Sequence, residues 1–334
     1  MKSIKRVLLT EPIHPDGLSI LENCSLIKVV EAENIKPKTL IKAIKGVHGV
    51  IVRTAVLNKE ILSAGKELEI VSRHGVGCDN LDVEYLSNRN LPVAIASGAN
   101  AMSVAEHTIG LMLATAREFP AQNELVKMGK WRERGRYSAV DLHGSKVLIL
   151  GFGRVGKLVA SRCMAFGMDV VVADINLDYE KVSSIGCKGV SDFRQELPGV
   201  DFLTLHVPLD SSTRHIIGKR ELLRMKKGSI LINCARGGVV DETALLASLI
   251  SGQIRMAGLD VMAVEPPDSN NPLLSRDDVL LTPHTGAGAR SAIIAMAKMS
   301  AQNIVDAFFG NLRSSFVFNY HQLDQSALRT KILI

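Results

Sequence analysis

Short apolar runs rich in β-branched residues alternate with amphipathic segments along almost the whole chain. The runs that predict strands are RVLLT, GVIVRT, LEIVSR, LPVAIA, KVLILG, DVVVAD, DFLTLHV, SILINCA and VLLTPH, in chain order. The segments between them, such as KEILSA, RVGKLVASRCMAFG and ETALLASLISG, have the spacing of helices with one apolar face. The alternation of strands and helices predicts βαβ units built on parallel sheets.

Two long helical patterns divide the strands into two groups. The first, SVAEHTIGLMLATAREF at 103–119, predicts a helix with Ser103 as its N-cap and Glu106 completing a capping box. The second covers roughly 288–310 and leads to the strand-like SSFVFN, which we expect to return to the first group of strands. The sequence therefore predicts two α/β domains with a cleft between them, a common position for ligand sites.

Composition and charge narrow the class of protein. A chain of 334 residues suits two domains, and a hydrophobic fraction of 46% with 22% charged residues is typical of a globular protein. The net charge is +6, and the densest basic stretch, KMGKWRERGR at 127–136, lacks the sharper cluster that nucleic-acid binding requires. We expect no nucleic-acid partner, and the mild positive charge favours small anionic ligands.

Cysteine usage and apolar run lengths predict a cytoplasmic protein without membrane spans. The five cysteines are scattered without a CxxC pair, which argues against a disulfide framework or a metal site. Reduced thiols are typical of the cytosol. The apolar part of MKSIKRVLLTEP is too short for a signal peptide, and the longest apolar run, IGLMLATA, is too short to cross a bilayer.

A glycine-rich turn follows the predicted strand KVLIL. Gly151, Gly153 and Gly156 form the pattern G-x-G-x-x-G between an apolar strand and a helical pattern. Gly151 permits the tight turn, Gly153 lets the backbone approach a pyrophosphate, and Gly156 lets the helix pack close to the strand. The free N–H groups at the start of the helix would face the phosphates. The alternative is a glycine turn that only packs a helix on a strand.

The next predicted strand, DVVVAD, ends at Asp174. A carboxylate at this place accepts hydrogen bonds from both ribose hydroxyls of an adenosine and repels a 2′-phosphate. The residues that follow, INLD, include no arginine that could hold such a phosphate. The sequence therefore predicts NAD rather than NADP as the cofactor.

Three further strands end in polar residues of complementary chemistry. Arg236 follows SILINCA, Glu265 lies in GLDVMAVEPP, and His284 ends VLLTPH. Because the carboxyl ends of strands meet at the ligand crevice of a doubly wound sheet, we expect the three side chains near one point. Taken singly, each could be a solvated or structural residue, whereas the combination favours a catalytic site.

The three side chains match the reduction of a 2-oxo acid. Arg236 can bind the substrate carboxylate through its planar fork. His284 would donate a proton to the carbonyl oxygen and take it back in the oxidative direction. Glu265, bonded to the other ring nitrogen, would orient the imidazole and favour its protonated form.

Seven segments spread over nearly the whole length resemble one known family. They are RHGVGCDN (73–80), SVAEHTIGLML (103–113), LILGFGRVG (148–156), LHVPLDSSTRHIIG (205–218), NCARGGVVDE (233–242), GLDVMAVEPP (258–267) and LTPHTGA (281–287). Together they resemble the NAD-dependent D-isomer-specific 2-hydroxyacid dehydrogenases, the phosphoglycerate dehydrogenase-like and hydroxypyruvate reductase-like group. The resemblance implies an oxidoreductase that acts on a small anionic acid of the 3-phosphoglycerate, hydroxypyruvate or glyoxylate type.

The resemblance also implies an architecture. It indicates two Rossmann-like doubly wound α/β domains: a discontinuous flavodoxin-like substrate domain, 1–100 and 288–334, and an NAD-binding Rossmann domain, 101–287. Members are typically homodimers joined through the NAD-binding domain.

Roles for particular residues follow from the same resemblance. Arg236, Glu265 and His284 match the family's catalytic set. Cofactor contacts are implied for Val104, Gly151, Gly153, Arg154, Val155, Gly156, Asp174, Val207, Pro208, Thr213, Cys234, Ala235, Asp260 and Gly286. Substrate contacts are implied for Arg53, Val76, Gly77 and Arg236. We expect hydrogen-bonded structural roles for His74 and His107, a structural role for His206, and packing roles for Cys78 and Cys234.

An alternative function remains open in the sequence. One branch of the family consists of NAD(H)-sensing transcriptional corepressors, which keep the same three residues. Corepressors usually have extra flanking segments, so the compact chain favours the enzyme over a corepressor-like binding protein. The sequence does not identify the acid, because the shape of the pocket selects it.

Overall fold

The computed structural model describes residues 4–328 and 330–334. The chain divides into two compact units. The first contains the described residues up to Asn100 and from Ala289 onward, and the second is Ala101–Gly288.

The first unit is built on a five-stranded parallel sheet of order β2-β1-β3-β4-β5. Its strands are β1 (Lys5–Leu9), β2 (Ile27–Glu31), β3 (Gly49–Val52), β4 (Ile70–Arg73) and β5 (Val93–Ile95). The connecting helices are α1 (Pro15–Glu22), α2 (Pro37–Ala43), α3 (Lys59–Ala64) and α4 (Val83–Asn88). This order is that of the flavodoxin-like doubly wound fold.

Both faces of this sheet are covered, so the central strands carry buried apolar residues on both faces. Leu8 and Val50 pack into a core on one face, while Val7, Leu9 and Ile51 pack into a core on the other. Alternate side chains of a strand point to opposite faces, and each face therefore buries its own set.

The second unit contains a seven-stranded parallel sheet of order β12-β11-β10-β9-β6-β7-β8. Its strands are β6 (Lys146–Leu150), β7 (Asp169–Ala173), β8 (Lys188–Val190), β9 (Phe202–Leu205), β10 (Ser229–Asn233), β11 (Ile254–Leu259) and β12 (Val279–Leu281). Its helices are α5 (Ala101–Ala116), α6 (Phe119–Lys127), α7 (Arg154–Ala165), α8 (Tyr179–Ser184), α9 (Lys219–Arg224) and α10 (Glu242–Ile250). The strand order reverses beside β6, the place where doubly wound sheets bind dinucleotides. The prediction of a parallel α/β fold is confirmed.

The predicted start of the long helix α5 is wrong. The helix begins at Ala101, so Ser103 is a buried residue of its first turn and not an N-cap, and the predicted capping box with Glu106 is absent. Ala101 is itself buried, and alanine is the strongest helix former, which favours the earlier start.

The same helix ends earlier than its apolar pattern indicated. A continuous helix would need the N–H of Pro120 to bond the carbonyl of Ala116, and proline has no N–H. The carbonyl of Ala116 instead accepts from the N–H of Val140 at 2.9 Å. Glu118 adopts a left-handed φ of 54°, and α6 begins at the next residue.

The C-terminal residues belong to the first unit. They form α11 (Arg290–Phe309) and the short strands β13 (Leu312–Arg313) and β14 (Ile332–Leu333). The predicted strand SSFVFN is reduced to a single antiparallel bridge between Val317 and Ala94 at the edge of the five-stranded sheet. The side chain of Asn319 accepts from the N–H of Val93 at 2.9 Å, which takes the place of a further ladder bond.

Within the described part of the chain, every helix is too short or too polar to cross a membrane.

Candidate active site

The glycine-rich turn joins β6 to α7 by close backbone contacts. Gly151 has a φ of 98°, and a Cβ there would lie 2.5 Å from the carbonyl oxygen of His206. A Cβ on Gly156 would lie 2.0 Å from the carbonyl oxygen of Gly151, so α7 rests directly on the turn. A Cβ on Gly153 would meet no atom within 4 Å. Open space therefore lies beside Gly153, the N-cap residue of α7, where the helix presents its free N–H groups.

Asp174 immediately follows β7 and faces this turn. Its Oδ2 accepts from the N–H of Phe152 at 2.7 Å, and its Oδ1 accepts from the N–H of Asn176 at 3.0 Å. A carboxylate has about four acceptor positions, so two remain for ribose hydroxyls. Its charge also opposes a 2′-phosphate. The turn, the open space at Gly153 and this carboxylate together fit an NAD molecule.

Arg154 and Val155 are the first two residues of α7 and lie next to this open space. Val207, Pro208 and Thr213 follow β9, and the Thr213 hydroxyl donates to the carbonyl of Pro208 at 2.7 Å. That bond closes the loop on itself, so the hydroxyl already has a partner within the chain.

Cys234 and Ala235 directly follow β10, and Val104 lies half-buried on α5. Cys234 is buried, and burial raises the pKa of its thiol to about 12, although an interaction with the Thr108 side chain acts in the opposite direction. The thiol is therefore protonated at neutral pH and is not a nucleophile there. This agrees with the packing role expected from the sequence.

The three predicted catalytic residues follow three neighbouring strands. Arg236, Glu265 and His284 come after β10, β11 and β12, which are adjacent in the sheet. The carboxylate Oε2 of Glu265 lies 2.7 Å from Nδ1 of His284. The contact that the sequence predicted between these two side chains is present. It leaves Nε2 as the ring nitrogen on the opposite side.

Glu265 is held in its ionised form. Partial burial raises the pKa of this carboxyl, but the hydrogen bond and charge of His284, the N–H of Met262 and the charge of Arg236 outweigh it. The pKa of Glu265 therefore lies below its ordinary value. Its Oε1 accepts from the N–H of Met262 at 3.0 Å, so each oxygen has a defined partner.

The arginine and glutamate loops touch through their backbones. A Cβ on Gly237 would lie 1.9 Å from the carbonyl carbon of Met262, so only glycine fits beside Arg236. The carbonyl of Arg236 accepts from the Asn233 side chain at 2.9 Å. Nη1 of Arg236 donates to the carbonyl of Ala235 at 2.7 Å. These contacts hold the guanidinium near the carboxylate whose pKa it lowers.

Residues 282–286, which we call the histidine loop, are fastened to Asp260. The carboxylate of Asp260 accepts from the N–H groups of Thr285 and Gly286, each at 2.8 Å, and from the Thr282 hydroxyl at 2.6 Å. The Asp260 carbonyl accepts from the N–H of His284 at 2.8 Å. The Asp260 side chain is only 2% exposed, whereas that of His284 is 48% exposed. Asp260 and Gly286, both predicted cofactor contacts, are thus bonded to each other through the Asp260 carboxylate and the N–H of Gly286.

In the first unit, Arg53 follows β3, and its Nη1 donates to the carbonyl of Pro12 at 2.6 Å. Val76 and Gly77 lie in the loop after β4. Arg73 shapes this loop, because its Nε donates to the carbonyl of Gly77 at 2.8 Å and its Nη1 to the carbonyl of His74 at 2.9 Å. Sequence reasoning missed Arg73, whose role depends on contacts that a motif does not display.

The three structural histidines differ. His107 bonds Thr282 at 2.9 Å and His206 bonds Thr204 at 2.9 Å, as expected. His74 departs from the expectation, since its Nε2 is buried without a hydrogen-bond partner among the described residues.

Comparison with known proteins places this geometry in a family. Residues 109–286 match the family model for the NAD binding domain of the D-isomer specific 2-hydroxyacid dehydrogenases. The chain belongs to this family. Its second unit therefore contains the family's NAD-binding domain, and the glycine turn with Asp174 described above lies within the matched residues.

Relatives of this dehydrogenase family cover most of the chain. It is 39% identical over 313 residues to D-3-phosphoglycerate dehydrogenase of Methanocaldococcus jannaschii, covering 93% of this chain and 59% of that protein. It is 37% identical over 297 residues to hydroxypyruvate reductase of Thermotoga maritima, covering 86% of this chain and 93% of that protein. The chain thus spans somewhat more than half the length of the phosphoglycerate dehydrogenase.

Solved structures agree with this family assignment. The NADPH-dependent glyoxylate/hydroxypyruvate reductase of Sinorhizobium meliloti, in complex with NADP and malonate, has a TM-score of 0.85 and 28% identity over 96% of this chain and 98% of that one. D-lactate dehydrogenase of Aquifex aeolicus, with NAD and lactic acid, has a TM-score of 0.82 and 25% identity over 92% and 96%. These four proteins are dehydrogenases or reductases by name, which gives no support to the corepressor alternative.

Proposed function

We propose that the protein is an NAD-dependent D-2-hydroxyacid dehydrogenase that interconverts a small D-2-hydroxy acid and its 2-oxo acid. The observation that supports this most directly is the 2.7 Å contact between Glu265 and His284, with Arg236 close enough to act on the same carboxylate. A cation, a carboxylate and an imidazole at adjacent strand ends supply the groups that carbonyl reduction needs.

Each group has a separate task in this reaction. Arg236 binds the substrate carboxylate and orients the carbonyl. His284 donates a proton from Nε2 to the carbonyl oxygen during reduction and accepts it during oxidation. Glu265 keeps Nδ1 protonated, so that Nε2 is the nitrogen that exchanges its proton with substrate. When bound, the nicotinamide supplies the hydride in reduction and accepts it in oxidation.

We propose that the second unit holds the cofactor through residues of three places. Gly151, Gly153, Arg154, Val155 and Gly156 would contact the pyrophosphate. Asp174, Val207, Pro208 and Thr213 would contact the adenosine half. Val104, Cys234, Ala235, Asp260 and Gly286 would lie on the nicotinamide side. The carboxylate of Asp174 favours NAD over NADP, and a clear preference for NADP in binding measurements would contradict this.

We propose a small anionic substrate of the 3-phosphoglycerate, hydroxypyruvate or glyoxylate type. The relatives' names include a phosphoglycerate dehydrogenase and a hydroxypyruvate reductase. In the first unit, Arg53 and the N–H groups of Val76 and Gly77 would bind anionic parts of the substrate. The anchoring of Arg53 by Pro12 supports a fixed position for that cation.

We further propose a cytoplasmic homodimer joined through the NAD-binding domain. The described cysteines are not joined in disulfides, which supports the compartment. Large apolar side chains on α6 and the turn after it are about half exposed, namely Phe119, Val126, Met128 and Trp131. An exposed apolar group of this kind is typical of a surface that another protein covers. Sedimentation measurements at several protein concentrations would test the dimer.

The reaction is tested by steady-state kinetics with NADH and a panel of 2-oxo acids. A His284→Asn variant is the sharpest companion, because asparagine tolerates the left-handed backbone at this residue. Its amide can still bond Glu265 but has no group at the Nε2 position. We expect kcat to fall about 10²- to 10⁴-fold with NADH affinity nearly unchanged. Absence of turnover with every acid, or near-normal turnover in the variant, would contradict the proposal.

A further inference from the structure

A second imidazole lies behind the histidine loop. Nε2 of His107, on α5, is 2.9 Å from the Thr282 hydroxyl oxygen and 3.3 Å from Oδ1 of Asp260. The ring also lies against Gly286, where an added Cβ would be 3.6 Å from Cδ2 of His107. His107 therefore bonds the first residue of the loop that contains His284 and lies beside the last.

The hydrogen-bond partners determine which atom of His107 donates. The Thr282 hydroxyl has one proton, and its 2.6 Å contact with Oδ1 of Asp260 uses that proton. Both oxygens of Asp260 also accept from backbone N–H groups, so the carboxylate is the acceptor in this contact. Thr282 must then accept from His107, which places the imidazole proton on Nε2.

A directed chain of bonds follows from these assignments. It runs from His107 Nε2–H to the Thr282 hydroxyl and from that hydroxyl to the Asp260 carboxylate. The N–H of His284 in turn donates to the carbonyls of Asp260 and Thr282, at 2.8 Å and 2.9 Å. Both residues that hold His284 by its backbone are thus linked to His107 through their side chains.

We propose that His107 is a positioning residue for proton transfer, which holds the imidazole of His284 in place through Thr282 and Asp260. The inference rests on the proposed function. Asp260 is buried and cannot exchange its partners for water freely. Without the His107 bond, the Thr282 side chain is held only by Asp260, and the histidine loop can shift. A displacement of about 1 Å in a catalytic group can cost about 100-fold in rate.

Two substitutions of nearly equal polarity separate this role from general stability. In His107→Gln, the amide nitrogen lies about as far from the backbone as Nε2 and can donate to Thr282. In His107→Asn, the amide is one bond shorter and cannot reach. We expect His107→Asn to lower kcat about tenfold and His107→Gln to recover most of that loss. Glu106→Gln, on the same helix with its side chain 64% exposed, is the control and should behave as wild type.

A second pair of variants tests whether Thr282 is the intermediary. Thr282→Val removes the hydroxyl, and we expect His107→Asn to have no further effect on kcat in that background, because both changes break the same chain of bonds. Equal losses in the asparagine and glutamine variants, or losses that add in the double variant, would overturn the proposal.

A readout without turnover keeps the two proposals distinguishable. Amide hydrogen exchange at Thr285 and Gly286 reports directly on the bonds to Asp260. We expect faster exchange at both amides in His107→Asn and wild-type exchange in His107→Gln. Unchanged exchange in His107→Asn would refute the positioning role, whether or not the wild type turns over a 2-oxo acid. Absence of turnover in the wild type would refute only the proposed reaction.

Discussion

His284 has a backbone φ of 52°, in the left-handed region that residues with a Cβ rarely adopt. Its N–H bonds to two carbonyls keep it there, and such conformations cost about 1–3 kcal/mol unless the surroundings enforce them. The backbone therefore sets the direction of the imidazole before the side chain meets Glu265. At the scale of single residues, the backbone conformation of the loop matters to the position of the imidazole as much as the choice of histidine does.

A Glu265→Gln variant tests the charge of the carboxylate. Glutamine can still accept from the N–H of Met262, but its amide would face Nδ1 of His284 with a donor. A ring that faces a donor is disfavoured in its doubly protonated form. We therefore expect the reductive rate to fall about 10- to 100-fold and its alkaline limb to move to lower pH. Oxidation should fall at least as much, because a neutral ring that accepts at Nδ1 carries its proton on Nε2 and has no lone pair there for the substrate hydroxyl.

The pH dependence of kcat/KM in both directions is the measurement. Glu242→Gln is the matched control, since Glu242 accepts from the N–H of Ala263 in the same turn, at 2.6 Å, and its partners do not include His284. An unshifted reductive profile in Glu265→Gln would remove the role assigned to its charge.

At the scale of elements, the β6–turn–α7 unit combines two kinds of glycine. Gly156 is required by packing, because a Cβ would lie 2.0 Å from a backbone oxygen. Gly153 has a φ of −73° and open space around it, so an alanine fits the polypeptide itself. The same pattern in the sequence thus contains one position that packing requires and one that we propose for the ligand.

Substitution of these glycines by alanine should separate the two requirements. Gly156→Ala should lower the free energy of unfolding by about 1–3 kcal/mol and weaken NADH binding, because α7 must move off the turn. Gly153→Ala should keep wild-type stability while NADH affinity falls at least about tenfold, since the methyl group occupies the space beside the helix start. Denaturant unfolding and NADH fluorescence titration measure both effects. A destabilised Gly153→Ala protein would contradict the assignment.

The elements that the sequence predicted best are those with apolar residues on both faces. The central strands β3, β6 and β10 are nearly continuous apolar runs because helices cover both sides of each sheet. β2 and β8 were not singled out. Both lie at sheet edges, and their sequences IKVVE and KGV contain charged residues or glycine. An edge strand is partly exposed, so its pattern is weaker.

The site was predictable to the same limited depth. Arg236, Glu265 and His284 stand in distinctive segments at strand ends, and the fold class implied that such ends meet. Thr282 was not recognised as a positioning residue, because its bonds to Asp260 and His107 join segments that are distant in the chain. Arg73 was missed although its partners are near in sequence, because its bonds depend on how the loop after β4 folds back. Gly237 was missed for a similar reason, since its close neighbour Met262 lies on another loop.

At the scale of the whole molecule, each unit contains a histidine with a strongly lowered pKa. Burial lowers the pKa of His74 to about 4, aided by the charge of Arg53, and burial lowers the pKa of His206 to about 3. In the unfolded chain both titrate near 6.5. Between these values the unfolded chain binds protons that the folded chain does not, so stability falls as the pH falls below about 6.5.

We expect thermal stability to decrease between pH 7.5 and pH 5, an interval in which ordinary carboxylates remain ionised. His74→Gln should show a smaller decrease, because the full effect of His74 is on the order of 3 kcal/mol. Differential scanning calorimetry at the two pH values is the measurement, and His321→Gln, at an exposed histidine, is the control. Equal decreases in wild type and His74→Gln would show that His74 does not contribute.

The two bonds that Asp174 makes to Phe152 and Asn176 have a consequence for protein engineering. Exchange of Asp174 for a small neutral residue is the direct way to remove the charge that opposes a 2′-phosphate. In this chain that exchange would remove the negative charge of Asp174 and, with it, the two hydrogen bonds to the N–H groups of Phe152 and Asn176. Asparagine retains an acceptor for one of those amides without the negative charge. A change of preference from NAD to NADP therefore has to begin with a substitution at Asp174 that keeps a hydrogen bond to this loop. Cationic groups that bind the 2′-phosphate can be added after that.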